Sequence, residues 1–115
     1  MDVIALASKI RDFAMEREWD KFHSPKNIAS SISVEAAELL EIFQWSKGHS
    51  WNEFSDQSLR NKTEDELADI FIYLVRFADL ANIDLEKVAW RKVEKNAIKY
   101  PVSKFRGNDK KYNEI

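Results

Sequence analysis

The chain has 115 residues and a formal charge of −2, from 18 Lys and Arg against 20 Asp and Glu, which leaves room for one domain and argues against a dedicated binder of polymeric nucleic acid. It has no Cys and only two His and two Gly, which excludes disulfides, thiolate chemistry, Cys-ligated metals, HExxH zinc sites and Gly-rich phosphate loops. The longest apolar run, Ile70 to Val75, is far too short to cross a membrane, and the opening MDVIALASKIRD is not signal-like, so the expectation is a cytoplasmic protein with no membrane partner.

The spacing predicts four helices. The first covers about residues 2–18, with Val3, Leu6, Ala7, Ile10, Phe13 and Ala14 on one stripe. An aromatic segment follows, Trp19-Asp20-Lys21-Phe22-His23, and Ser24-Pro25 reads as an N-cap with Pro in the first turn. The second helix is expected to run to about Lys47, with Gly48 as its stop. Residues 48–60 form the only long connection. The third helix covers about 60–81, with Leu67, Ile70, Phe71, Leu74 and Ala78 as its core stripe and Asp65, Ile72, Arg76 and Asp79 as a narrow solvent strip. Asp84 is a natural N-cap for a fourth helix over 85–99, which Pro101 ends. The expected fold is an all-α four-helix bundle over 1–107 with a polar tail over 108–115. A core this small makes self-association unsurprising.

Two helices break their own amphipathic rule. At ~100° per residue, Glu35 falls in the middle of the stripe formed by Ile28, Ile32, Leu39, Ile42 and Phe43. Glu38 follows on its flank and Glu41 continues the row. The third helix repeats the pattern, with Glu66 and Asp69 on a stripe that continues as Tyr73 and Phe77. Unpaired burial of such carboxylates costs several kcal/mol per ion, so their pKa values rise or a cation neutralises them. Oxygen-only ligands select a hard cation, Mg²⁺ or Mn²⁺. On the fourth helix Lys92 and Asn96 continue the line of Leu85, Val88 and Ala89, and suit phosphate oxygens. Metal, phosphate and an acidified water together suggest phosphoanhydride hydrolysis. Other readings stand beside this one. An isolated ExxE is common on solvated faces, Thr63 with Glu66 also reads as a capping box, and Lys92 alone reads as a snorkelling lysine.

Trp19, Phe22, His23, Trp45 and Trp51 fall near the ends of the first two helices. Such rings can sandwich a nucleobase, with His23 or Asn27 reading its edge, or can simply cap the end of a bundle. Trp90, off its helix's stripe, suits a subunit interface.

The segments FAMEREWDKFHSPKN, VEAAELLEIFQW, ELADIFIYLVRFADLANIDL and KVEKNAIKYPVSKFRG resemble the MazG-like all-α nucleotide pyrophosphohydrolases, in the branch of the dCTP pyrophosphatases. The resemblance covers about residues 10–107 and includes ExxE followed by ExxD, here Glu35-x-x-Glu38 and Glu66-x-x-Asp69. It implies cleavage of a deoxynucleoside triphosphate, dCTP or a related pyrimidine, to the monophosphate and pyrophosphate. It implies Mg²⁺ on Glu35, Glu38, Glu66 and Asp69, with phosphate contacts from Lys92, Asn96 and Tyr73. Trp19 and Trp45 match positions around the base, with His23 and Asn27 nearby, and a homodimer or homotetramer is implied. Glu38 or Glu41 is expected to accept the proton of the attacking water. The rivals are a dUTP-type or broad-specificity hydrolase of the same superfamily, and a non-catalytic helical interaction module.

Overall fold

The computed structural model describes residues 1–107 and 109; the rest of the expected tail lies outside the described residues. Among the described residues the regular structure is all helical: α1 (Val3–Glu16), α2 (Pro25–Ile42), α3 (Gln57–Ala81), α4 (Leu85–Lys99) and a short α5 (Val102–Phe105), with 3-10 turns at Asp20–Phe22 and Trp51–Ser55. None of these helices is long and apolar enough to cross a membrane. The chain divides into two compact units, Met1–Asn82 and Ile83–Ile115.

In the first unit α3 is the central element, packed chiefly on α2 and then on α1 and the second 3-10 turn. Among the described residues, Ala14, Ile28, Val75 and Ala78 are its buried apolar side chains. In the second unit Leu85 and Val88 are half-buried, and the rings of Tyr100 and Phe105 meet edge-on at 4.8 Å.

The caps explain where the helices start. Ser24 accepts from the Asn27 backbone N–H ahead of Pro25, and Asp84 caps α4 through the Lys87 N–H. Asp56 accepts from the Ser58 and Leu59 N–H groups and starts α3 at Gln57, earlier than the expected residue 60. Thr63 is therefore interior to α3, buried, with its hydroxyl donating to the Leu59 carbonyl, so the capping-box reading fails.

The ends depart further from expectation. α1 stops at Glu16 because Glu18 adopts a left-handed conformation (φ 55°). The Glu18 N–H then reaches Met15 O and the Trp19 N–H reaches Ala14 O at 2.9 Å, a Schellman closure with Glu where Gly is usual. α2 ends at Ile42 rather than near Lys47, in tight turns where the Gln44 N–H bonds Glu41 O and the Ser46 N–H bonds Phe43 O. Gly48 is left-handed (φ +63°) but lies beyond those turns. α5 is a short fifth helix, after Pro101, beyond the four expected.

The largest correction concerns the strip of α3 assigned to solvent. Arg76 is 2% exposed and sits among the core residues, whereas Leu67, assigned to the core, is 51% exposed in the single chain.

Candidate metal and nucleotide site

α2 and α3 lie side by side, and their interrupted stripes meet. Oxygens of Glu35, Glu38 and Glu66 lie within 4.8 Å of one another. Asp69 stands outside that trio, one turn along α3, but its charge acts on both Glu35 and Glu66. Glu35 and Glu66 are half-buried, and one oxygen of each, Oε2, is buried with no hydrogen-bond partner. Unsatisfied buried acceptors are uncommon in proteins and call for a ligand, an ion or water.

The electrostatics follow from that geometry. Burial first, then hydrogen bonds to Glu38 and Glu66 and the charges of Glu38 and Asp69, push the Glu35 carboxyl up to about 7. Burial is also the main cause that raises Glu66; its hydrogen bond with Glu35 works the other way, and its hydrogen bond with Glu38 adds to the rise. The charges of Glu38 and Asp69 raise Glu66 further. The oxygen-only donor set and the two orphaned oxygens fit a hard divalent cation.

An open cavity of about 700 Å³ borders the trio, lined by Glu38, Glu41, Asp56, Ser58, Lys62 and Glu66 among others. Sequence reasoning missed Lys62, although it stands one turn before Glu66 on α3. Tyr73 is half-buried further along α3. Lys92 and Asn96 are exposed and one turn apart on α4, in the second unit.

The aromatic residues do not form one cluster. Trp19 is 43% exposed and meets Phe13 edge-on at 5.6 Å; Trp51 stacks with Phe54 at 5.8 Å. Trp45 is 91% exposed, and among the described residues no ring contact joins Trp19, Trp45 and Trp51. Trp51, with His49, Phe43, Phe54, Leu39 and Leu67, instead lines an apolar cavity of about 360 Å³.

Two of the expected base-reading groups have internal work. The Asn27 side-chain amide donates to Phe22 O at 2.9 Å. His23 Nδ1 accepts from Arg76 Nε at 3.1 Å, so the neutral ring carries its proton on Nε2. Burial first, then the Arg76 charge, lowers the His23 pKa. Arg76 also pairs with Asp20 at 2.6 Å and lies 4.0 Å from Asp79, which Arg11 grips with two hydrogen bonds.

A profile of the MazG-like family matches residues 30–115. Among curated proteins, dCTP pyrophosphatase 1 of Rattus norvegicus is 35% identical over 105 residues, and that of Homo sapiens 34% over 105 residues, each match covering 90% of this chain. The chain spans 62% of the length of these relatives. Among solved structures, a pyrophosphatase from Archaeoglobus fulgidus DSM 4304 aligns with a TM-score of 0.78 at 43% identity, covering 88% of this chain and 94% of that one.

Proposed function

The chain belongs to the MazG-like family, and from that premise we propose that it is a nucleoside triphosphate pyrophosphohydrolase that cleaves a deoxynucleoside triphosphate, dCTP or a related pyrimidine, to the monophosphate and pyrophosphate. The observation that carries this reading is the Glu35, Glu38 and Glu66 trio with its two orphaned buried oxygens. The names of the curated relatives and of the archaeal structure point the same way.

Glu35, Glu38 and Glu66, with Asp69 one turn on, would hold Mg²⁺ or Mn²⁺. When bound, such a cation neutralises phosphate oxygens and acidifies a water for in-line attack on phosphorus. The chain's own groups do the rest. Glu38 and Glu41 line the open cavity, where either carboxylate can accept the water's proton. Lys92 and Asn96, with Tyr73, contact phosphates in this reading. Trp19 and Trp45, both with exposed rings, are the base-binding candidates, with His23 and Asn27. The working protein is a homodimer or homotetramer acting on free nucleotides in the cytoplasm.

The test is pyrophosphate release with Mg²⁺ from each dNTP, CTP and UTP, beside Glu38→Gln. Release led by dCTP and abolished in the variant is the expected result. Release from many triphosphates keeps the chemistry and replaces the pyrimidine preference with a broad one. No release from any of them contradicts the reading.

A further inference from the structure

We infer that Arg76 is a positioning residue that fixes the Trp19–His23 segment at a set distance from the carboxylate row of α3, so that the base and the phosphates of one nucleotide are held in a single register. This rests on the function proposed above.

Arg76 and Asp69 are seven residues apart on α3. At ~3.6 residues per turn and ~1.5 Å per residue they share one face, roughly 10 Å apart along the axis. One rigid helix therefore carries a ligand of the acidic site and the anchor of the aromatic segment. The anchor is specific. Arg76 Nη2 bonds Asp20 and Nε bonds His23, so its guanidinium grips both ends of the 3-10 turn that follows Trp19.

The segment is fixed from two other directions as well. The Trp19 N–H is tied to Ala14 O by the α1 closure, and the Trp19 carbonyl accepts from the Phe22 N–H at 2.8 Å. The Asn27 side chain holds Phe22 O. The backbone of Trp19 thus has little freedom, while its ring stays partly exposed. Among the described residues, the side-chain hydrogen bonds that tie the turn to α3 come from Arg76. They also settle the His23 tautomer and leave Nε2–H as a fixed donor.

A buried arginine is an expensive way to hold a surface turn unless its position matters, because the charge must be desolvated before pairing offsets that cost. A base platform is one element whose position does matter, since small misplacements raise the barrier or weaken binding.

The experiment measures steady-state kinetics on the dNTP that the wild type turns over fastest, for Arg76→Lys and Asp20→Asn, with the Mg²⁺ concentration for half-maximal rate measured alongside. Asp20→Asn guards against misfolding, because it weakens the anchor at a half-exposed partner and leaves the buried charge in place. The expected result is a KM raised about tenfold in both variants, with kcat within about twofold and the Mg²⁺ requirement unchanged. The His23 ring nitrogens, read by NMR, lose their single-tautomer pattern in Arg76→Lys. A purely structural role would lower kcat through loss of folded enzyme and leave KM alone. Unmoved KM values, or a fall in kcat as large as the rise in KM, overturn the inference while leaving the function standing. Absence of wild-type turnover on every dNTP removes the function reading and this inference with it.

Discussion

α3 carries two polar clusters whose states are opposite. Around Arg76, a guanidinium that is almost wholly buried has a partner for each face: Asp20, His23 and, at 4.0 Å, Asp79. Around Glu66, carboxylates converge, and two buried oxygens, Oε2 of Glu35 and of Glu66, lack a hydrogen-bond partner. The first cluster is complete without anything added, so its work is to hold the chain. The second leaves buried acceptors unsatisfied, which suits the cation-binding role proposed for it. Burial of charge alone does not tell structure from site; satisfaction of that charge does.

The comparison can be broken most severely at the satisfied cluster. Arg76→Met leaves Asp20 and His23 without their anchor; because Asp20 is exposed and stays solvated, the cost is that of the lost charge-assisted hydrogen bonds, about 1.5–3 kcal/mol. In a chain of this size that lowers the midpoint of thermal unfolding by more than about 5 °C. An unchanged midpoint would mean that the cluster holds nothing.

At the unsatisfied cluster the same kind of change has the opposite effect on the fold. Glu35→Gln and Glu38→Gln remove repulsion, so the metal-free protein unfolds at the same or a higher temperature, while turnover falls at least about 100-fold, roughly 2.7 kcal/mol of transition-state stabilisation. Turnover near wild type in either variant would remove the carboxylates from the mechanism.

The acidic cluster also titrates in a way the other does not. The Glu35 carboxyl sits at about 7 in the fold against an ordinary value of 4.5. Between those values the folded chain keeps a proton that the unfolded chain releases, so metal-free stability falls as pH rises through the window. A cation must displace that proton, so Mg²⁺ affinity rises by up to about tenfold per pH unit below 7 and levels off above it. Calorimetric titration of Mg²⁺ at several pH values reads this directly; an affinity flat from pH 5 to 8 would contradict it.

The smallest expected effect sharpens the account of how Trp19 is placed. Glu18→Gly relieves a left-handed residue and should stabilise the protein by about 0.5–1 kcal/mol, with catalysis unchanged. A lower unfolding temperature would mean that the Glu18 side chain has a further role.

The acidic site was legible in sequence because it violates a pattern: Glu35 interrupts a stripe that the structure half-buries, and Glu66 does the same on α3. What periodicity does not carry is which residues meet across helices. It was silent on the convergence of Glu35 and Glu38 with Glu66 rather than with Asp69. The Arg76 cluster was misread for the same reason. A helical wheel assigns a charged residue to solvent, whereas its partners, Asp20 and His23, lie more than fifty positions away in the chain. Helix starts were readable from Ser24, Pro25 and Asp84, whose side chains announce their role. Helix ends were not, because α1 closes on a left-handed Glu and α2 turns well before Gly48.

The central claim, that the unsatisfied carboxylates form a cation site, is tested most directly by thermal unfolding of the wild type and Glu35→Gln with and without millimolar Mg²⁺. Wild type should gain stability, about 1.4 kcal/mol at ten times the dissociation constant, and the variant should gain little or none. An equal gain in both, or none in either, would contradict the claim.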